Sequence, residues 1–230
     1  TAWTGCGPSG PRFFRRNPVE VSMRTSLNVR ETGRAQLGVS TPELLTITAV
    51  SGLLLLVGLP LVEDARRAAA MGRSAAQVQG LLTRCRAVAV VRCRPCAVVF
   101  DHEADGGWRC YVAEDGDGDG VRRSDISSGQ DPVVGRVITF MAAGGAGPGI
   151  LRDEPVPDPS GRGYLEGDLG DPIRAGRGNI ISFSSRGTAT PSSVYFTDHV
   201  GRMMVLRIYG GTGRINRLSW RRGWARWKQG

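Results

Sequence analysis

The feature that most constrains this chain is an uncharged run of 19 residues, 44–62, in which only Thr46, Thr48 and Ser51 have polar side chains. About 20 apolar residues are enough for an α-helix to span the hydrocarbon core of a bilayer. A secretory signal sequence is the competing interpretation, but its apolar region is normally only about 7–15 residues long. The run therefore predicts a membrane-spanning helix.

The residues around this run predict one long helix over residues 40–91. Ser40, Pro42 and Glu43 provide a capping residue, a first-turn proline and an acidic residue three positions after the cap. After the run, apolar residues recur at helical spacing among arginines, which is the pattern of an amphipathic helix. At 1.5 Å per residue this helix would be roughly 80 Å long. A helix of that length cannot be buried along its whole course in so small a protein.

Beyond Pro95 the sequence pattern changes from helical spacing to alternation, which indicates β-strands. A hairpin is predicted from two apolar segments that flank a Gly-Gly pair, and four more strands follow, so the expected strands are residues 96–101, 108–112, 133–141, 179–184, 193–197 and 203–209. Residues 142–179 are rich in Gly, Pro and Asp and predict a long exposed loop. The predicted fold class is α+β, with a long N-terminal helix packed on a small antiparallel β-sheet head.

The formal net charge of +9 is concentrated at the two ends of the chain. Residues 1–38 contain six arginines against two acidic residues, and residues 214–230 contain five arginines and one lysine with no acidic residue. The part between them is therefore close to neutral. The predicted organisation is a leader (1–38), a transmembrane half-helix (39–62), an amphipathic half-helix (63–92), a β-rich head (93–213) and a basic, Trp-rich tail (214–230).

Residues 38–43, Gly-Val-Ser-Thr-Pro-Glu, followed by the apolar run, resemble the prepilin peptidase cleavage and N-methylation site of type IV pilins and pseudopilins. In that family the leader ends in glycine and the fifth mature residue is glutamate. The resemblance places the cut between Gly38 and Val39 and makes Glu43 the fifth residue. Gly52 and Pro60 fall where the family commonly has a glycine and a proline that interrupt the helix.

The rest of the chain loosely resembles the GspH/FimT branch of minor pseudopilins. Five segments contribute to this likeness, namely the Arg- and Ala-rich helix 66–91, the hairpin 96–112, the Asp/Gly loop 114–125, residues 181–187 and residues 211–215. The resemblance implies a long helix on a pilin-like head. It also implies a structural subunit of a type II secretion or type IV pilus system, and does not distinguish these two systems.

The resemblance also implies partners and a location. A prepilin peptidase would process the chain, which would then join other pilin or pseudopilin subunits at an inner-membrane assembly platform. The protein would cross the bacterial inner membrane once, with its head in the periplasm, and could move into a fibre. Glu43 would neutralise the N-terminal ammonium of a neighbouring subunit, because a carboxylate close to lipid needs a partner. The alternatives are a helix-capping role for Glu43 and a plain membrane-anchored protein with its leader retained.

Asp115, Asp117 and Asp119 alternate with glycines and resemble the start of an EF-hand loop, in which such carboxylates wrap Ca²⁺. Asp125 adds a further carboxylate one residue before the last loop position, where Ile126 stands. Ca²⁺ is the one cofactor that the sequence suggests. A solvated acidic turn without a metal is the alternative.

Four of the five cysteines follow the apolar run within a short window, namely Cys85, Cys93, Cys96 and Cys110. An oxidising compartment would allow disulfides among them. Cys93 and Cys96 have CxxC spacing, but a zinc site would need a second pair of ligands, and the two histidines are isolated in the sequence. A structural disulfide is the favoured interpretation, with its connectivity left open.

The sequence contains no P-loop lysine and no nucleophile elbow, so we expect a protein that is not an enzyme. The tail interleaves cations with tryptophans, a composition that suits phosphate contacts and base stacking. Some FimT-type pilins take part in DNA uptake, and a basic C-terminal tail resembles that use. The resemblance therefore implies, as the alternative function, a DNA-binding minor pilin in DNA uptake, with candidate residues Arg214, Arg217, Arg221, Arg222, Trp224, Arg226, Trp227 and Lys228. A tail that lies on the membrane surface or packs against the head would have the same composition.

Overall fold

The computed structural model describes residues 40–140, 147–176 and 178–230. The chain divides into two compact units, Thr1–Ile47 and Thr48–Gly230. In the first unit the described residues are the start of helix α1, which spans Thr41–Arg92. The second unit holds the remainder of α1 and both β-sheets. The predicted helix over 40–91 is thus confirmed to within one residue at each end.

Helix α1 runs through both residues that the sequence marks as helix breakers. Gly52 and Pro60 lie in its interior, and the helix ends 32 residues after the proline, at Arg92. Proline has no N–H, so the carbonyl four residues before it loses its helical donor. This loss does not end the helix, because the turns on either side of Pro60 keep their own ladder of hydrogen bonds.

Within the described residues, the β-strands form two antiparallel sheets instead of the single small sheet expected from the sequence. In chain order they are β1 (Cys96–His102), β2 (Trp108–Glu114), β3 (Val133–Phe140), β4 (Ile173–Arg174), β5 (Ile180–Phe183), β6 (Ser192–Thr197), β7 (Arg202–Ile208), β8 (Ile215–Arg221) and β9 (Lys228–Gln229). The first sheet has the order β3-β2-β1-β5 and the second the order β4-β6-β7-β8-β9. A short helix, α2 (Arg123–Ser128), lies between β2 and β3. The α+β class is confirmed.

The predicted hairpin forms between β1 and β2, with Cys96 paired to Glu114 and His102 paired to Trp108. Gly106 has a φ of 81°, a left-handed conformation that glycine adopts without steric cost. Strand β1 is buried on both faces, since Val98 and Phe100 join one core cluster while Ala97 and Val99 join another. This double burial explains why residues 96–100 of the strand are continuously apolar.

The main core lies between the second half of α1 and both sheets. The buried residues of the helix recur at helical spacing and are Met71, Ser74, Ala75, Val78, Leu81, Leu82, Cys85 and Ala89. All of them except Ser74 share one cluster with Phe100 and Phe183 of the first sheet and with Phe196 and Leu206 of the second. The amphipathic half of α1 is therefore the element that both sheets have in common.

A second core covers the other face of the second sheet. Ile150, Leu151, Val156 and Leu165 are buried there against sheet residues that include Trp220. The expectation that residues 142–179 form an exposed loop is therefore wrong for these four side chains, which are at most 9% exposed. Their backbone is largely irregular, as the Gly and Pro content indicates. An apolar side chain in a loop is buried when a sheet face needs covering, and sequence periodicity does not report this.

We predict that Leu82→Ala lowers the free energy of unfolding by about 2–5 kcal/mol, because Leu82 is fully buried between helix and sheets. The measurement is denaturant or thermal unfolding of the full chain in detergent micelles, followed by tryptophan fluorescence. Leu61→Ala is the matched control, since Leu61 lies on the same helix with 66% of its surface exposed. Equal losses of stability in the two variants would contradict the packing described for α1.

Candidate functional site

The first half of α1 exposes an apolar surface. No residue from 41 to 70 is buried, and Leu56 is 74% exposed. By length and composition α1 is the one helix among the described residues that could cross a membrane, and none of its most apolar 18-residue window is buried. The site that the sequence predicts at the start of this helix is thus continuous with an apolar surface.

The residues of the predicted processing site are only partly described. Gly38 and Val39 lie outside the described residues, whereas Glu43 lies in the first turn of α1 and is exposed. Its backbone carbonyl accepts a hydrogen bond from the Thr46 hydroxyl at 2.8 Å. Within the described part of the chain, no hydrogen bond or ion pair of the Glu43 carboxylate is seen. Among the described residues, the capping hydrogen bond from the Ser40 amide to the Glu43 carboxylate is therefore not formed.

The Asp/Gly loop lies over the outer face of the first sheet. Asp115 is 2% exposed, and its two carboxylate oxygens accept hydrogen bonds from the amides of Gly118 and Gly120, at 2.7 and 3.1 Å. Asp131, 1% exposed, accepts the amides of Gly116 and Arg122 at 3.0 and 2.9 Å. These bonds fix the loop from its two ends, so the role of Asp131, which the sequence analysis missed, is to close the loop.

Helix α2 is attached to the same sheet through Arg123. Its guanidinium donates to the carbonyls of Phe100 and Gly178, at 2.7 and 2.9 Å, and pairs with the Asp101 carboxylate. Burial alone would raise the pKa of Asp101, but hydrogen bonds from Arg123 and Arg109 outweigh burial and hold this pKa below its ordinary value. Arg123 therefore holds α2, and with it the adjoining loop, against the first sheet.

Three of the four predicted calcium ligands come together in this loop. Carboxylate oxygens of Asp115, Asp117 and Asp119 all lie within 4.8 Å of one another. Oxygen ligands in this arrangement suit a hard cation such as Ca²⁺. Asp125 is not part of the group; one of its oxygens accepts from the Ser124 hydroxyl, and the other is buried without a hydrogen-bond partner.

The same carboxylates have partners within the protein, which is what a metal-free acidic turn requires. Asp119 forms an ion pair with Arg122. The Asp119 amide donates to Asp117 and holds the pKa of that carboxyl below its ordinary value. The geometry thus fits both a three-carboxylate cation site and the solvated turn, and a binding measurement separates them.

The four described cysteines are all free thiols. The CxxC pair is split between two environments, since Cys93 is exposed at the end of α1 and Cys96 is fully buried in β1. The Cys93 thiol donates to the Val90 carbonyl at 3.7 Å. A disulfide between Cys93 and Cys96 is therefore not formed, and the buried cysteines are Cys85, Cys96 and Cys110.

The predicted basic tail is part of the second sheet. Residues 215–221 form β8, which pairs along its length with β7, and residues 228–229 form β9. Trp220 is 2% exposed and donates from its indole N–H to the Trp224 carbonyl at 2.7 Å. Trp227 donates to the Pro157 carbonyl at 2.6 Å. The interpretation of these residues as a packing segment is the one that the structure supports.

The cations of this segment lie on its outer side. Arg214, Arg221, Arg226 and Lys228 are exposed, whereas Arg222 donates to Glu154 at 2.9 Å. Arg221 and Lys228 stack over the Trp224 ring, 5.7 and 4.1 Å from its centroid. Trp224 is partly buried, and the two cations lie over its ring. The indole therefore offers little surface on which a nucleic-acid base could stack.

The two histidines, isolated in sequence, line one cavity of about 440 Å³. His102 at the end of β1 packs edge-on against Trp108, with ring centroids 5.0 Å apart, and His199 has a left-handed φ of 58°. Arg152 and Asp153 also line this cavity. In the part of the chain that the structure describes, the only group of three metal-ligating side chains is the aspartate loop, so the histidines lack a third ligand.

No protein-family model, curated protein or solved structure matches this chain.

The calcium hypothesis predicts that millimolar Ca²⁺ raises the melting temperature of the full chain in detergent micelles, because a ligand stabilises the state that binds it. Asp117→Asn and Asp119→Asn should remove this rise, since each takes away a charged ligand at an exposed position without disturbing the buried Asp115. Glu166→Gln is the matched control, as it removes one exposed negative charge elsewhere. An unchanged melting temperature of the parent chain with Ca²⁺ would establish the metal-free turn.

Proposed function

We propose that this chain is a structural minor pilin or pseudopilin of a bacterial type II secretion or type IV pilus system. The observation that carries the proposal is the division of α1 into two halves. The half from Met71 to Ala89 packs into the core of the head, while no residue from 41 to 70 is buried. A subunit that holds its head on one half of a helix and offers the other half to lipid or to like subunits is suited to assembly into a fibre.

The exposed half of α1 is the energetic reason to propose a membrane location and assembly with other subunits. Its large apolar side chains, from Leu44 to Val62, are each more than half exposed. Apolar surface in water costs roughly 25 cal/mol per Å², so this half is stable only where water is excluded. A bilayer excludes water before assembly, and the helices of neighbouring subunits exclude it within a fibre. The proposed location is the inner membrane, with the head in the periplasm.

The Gly38–Val39 site and Glu43 add the chemistry of processing and assembly to this proposal. Cleavage between Gly38 and Val39 by a prepilin peptidase would create a new N-terminal ammonium on Val39, four residues before Glu43. The ammonium of one subunit and the carboxylate of its neighbour would then pair, because an ion near lipid is costly unless it has a partner. In this role the chain is a non-catalytic protein whose partners are the peptidase, other subunits and the assembly platform.

The DNA-binding alternative gains no specific support from the geometry. Two of the three tryptophans in residues 214–230 donate their indole N–H groups within the protein, and the third lies beneath Arg221 and Lys228. The exposed cations remain, but charge alone attracts any polyanion. Removal of residues 214–230 would also remove β8 and β9, so truncation does not test DNA binding separately from folding.

We predict that co-expression with a prepilin peptidase yields a mature chain that begins at Val39. Intact-mass analysis of the purified protein measures the change. Gly38→Val should block the cut, because a bulkier side chain would stand directly before the scissile bond. Gly52→Ala is the matched control, a glycine substitution inside α1 with open space around it, and should be processed normally. If the parent chain retains its leader, the proposed cleavage between Gly38 and Val39 is wrong, and with it the proposal of a processed pilin or pseudopilin.

We also predict that Glu43→Leu is cleaved and inserted into the membrane like the parent, but enters the fibre poorly. The variant loses the charge that pairs with a neighbouring ammonium, while its helix keeps the same apolar surface. The amount of the subunit in sheared fibres, compared with that in the inner membrane, gives the measurement. Glu63→Gln serves as control, since this exposed glutamate pairs with Arg67 beyond the apolar run. Normal incorporation of Glu43→Leu would leave Glu43 without a role in assembly.

A further inference from the structure

The second sheet is held against α1 at two levels of the helix. At the first level, the guanidinium of Arg202, the first residue of β7, donates to the backbone carbonyl of Asp64 at 3.2 Å and to its carboxylate at 2.5 Å. At the second level, Gly213 in the turn after β7 lies against Arg86, whose Nε is 3.2 Å from the position of a Cβ atom at this glycine. The helix rises roughly 33 Å between the two levels, a distance that β7 and its turn can span at about 3.3 Å per residue. Strand β7 therefore runs along α1 and begins at the end nearer the apolar run.

Two neighbouring turns form that end of the second sheet. Residues 198–202 contain the turn between β6 and β7, and residues 221–228 contain the turn between β8 and β9. The Arg222 amide donates to the Gly201 carbonyl at 2.7 Å and so joins one turn to the other. We call residues 198–202 and 221–228 together the basic edge.

The basic edge lies at the level where α1 leaves the proposed bilayer. The apolar run ends at Val62, and Asp64 follows two residues later, about 3 Å further along the helix. The headgroup layer on each side of a bilayer is roughly 5–8 Å thick. With the apolar run in the hydrocarbon core, the contact between Asp64 and Arg202 lies within this layer. The cations of the basic edge are then at the depth of the lipid phosphates.

Three cations of the basic edge are unpaired. Arg221, Arg226 and Lys228 are exposed, and none of them forms an ion pair with a described carboxylate. Val200, at the tip of the first turn, is 47% exposed. Trp224 lies beneath two of the cations. Cations next to a tryptophan and an exposed apolar side chain are typical of protein surfaces at a membrane interface.

The carboxylates beside the basic edge do not cancel this charge. Three of them are in ion pairs, namely Asp64 with Arg202, and Asp153 and Glu154 with Arg222. Asp198 is buried, and its carboxylate accepts the three backbone amides of residues 200–202. The three unpaired cations therefore determine the charge that this surface presents to a partner.

We propose that the basic edge rests on the membrane surface and binds the phosphates of anionic phospholipids. Arg221, Arg226 and Lys228 contact the phosphates, and Val200 enters the headgroup layer beside α1. The inference rests on the proposed membrane location of α1 and adds the surface by which lipid holds the head. A subunit that leaves the membrane for a fibre must break this contact.

The position of these cations favours lipid over nucleic acid as the anionic partner. At the depth of the headgroups they face a layer of lipid phosphates, which would repel the phosphates of DNA. A nucleic acid would meet less repulsion at the opposite end of the sheet, where Arg214 is exposed. The two ends of the sheet therefore provide a test and its control within one chain.

Photochemical cross-linking of the full chain maps the surface that touches lipid. The parent is placed in nanodiscs of phosphatidylglycerol in which a small fraction of the lipid has a diazirine on its headgroup, irradiated, digested with chymotrypsin and examined by mass spectrometry. We expect adducts on the basic edge and on the turn of α1 after Val62, but not on residues 209–214. Adducts that are as frequent on residues 209–214 as on the basic edge would overturn the proposal.

A charge variant tests whether the cations cause the contact. A cation close to an anionic membrane favours the docked state by roughly five-fold, so the loss of three should weaken docking by roughly 100-fold. The variant with Arg221→Gln, Arg226→Gln and Lys228→Gln should therefore lose most adducts on residues 198–202, which it leaves unchanged. The matched control has Arg94→Gln, Arg186→Gln and Arg214→Gln, three exposed arginines at the other end of the head, and should keep these adducts.

Lipid charge and salt should change the parent in the same way as the charge variant. Phosphatidylcholine nanodiscs remove the net negative charge, and 1 M salt shortens the screening length from about 8 to 3 Å. Both conditions should remove most adducts on residues 198–202. Melting temperatures of the two triple variants, compared with that of the parent, confirm that all three proteins are folded. Equal adduct yields in the parent and the charge variant would overturn the proposal.

The remaining outcomes separate this inference from the proposed function. Adducts on α1 without adducts on the basic edge would overturn docking and leave the membrane location intact. If α1 also lacks adducts, the membrane location is wrong and docking is wrong with it. A basic edge without lipid adducts, in a parent that retains duplex DNA when the charge variant does not, would assign the cations to nucleic acid. Processing and fibre assembly play no part in these measurements.

Discussion

The burial of one face of α1 against two sheets is the interaction on which the rest of this structure depends. Residues 71–89 of the helix present a strip of small and apolar side chains that both sheets share as their common core. The hydrophobic effect acts in proportion to apolar area removed from water, so this strip holds the head on the helix. The same effect leaves the apolar half of α1, where no residue is buried, in need of a lipid or protein partner.

Each sheet then has a second face to cover, and the chain covers the two in different ways. On the first sheet, the Asp/Gly loop and α2 pack over Ala97 and Val99, and Arg123 holds them in place. On the second sheet, residues 150–165 and the indole of Trp227 form the cover. The acidic loop and the tryptophans thus have structural roles whether or not the loop also binds a cation. Residue composition alone does not report this packing, and DNA binding by the tail stays a prediction.

The connection between α1 and the first sheet is held by an ion pair next to a short turn. Arg92 at the end of α1 pairs with Glu114 on β2. The turn itself contains Cys93 in a left-handed conformation, which an L-residue adopts only when its surroundings hold it there. In a fibre subunit of the proposed kind, this connection is where a load on the helix would pass to the head.

The sequence by itself determined the local elements of this protein. Helix α1, the β1–β2 hairpin and strands β3, β5, β6 and β7 follow from periodicity, capping residues and turn glycines, which act over a few residues. Only the tertiary structure decided that the described strands form two sheets, that residues 215–221 form a strand, that Trp220 is buried, and that Cys96 is buried while Cys93 is exposed. These features depend on pairing between segments far apart in the chain or on opposite sides of a turn. Such pairing is set by which faces remain to be buried once the local elements exist, and no local pattern encodes it.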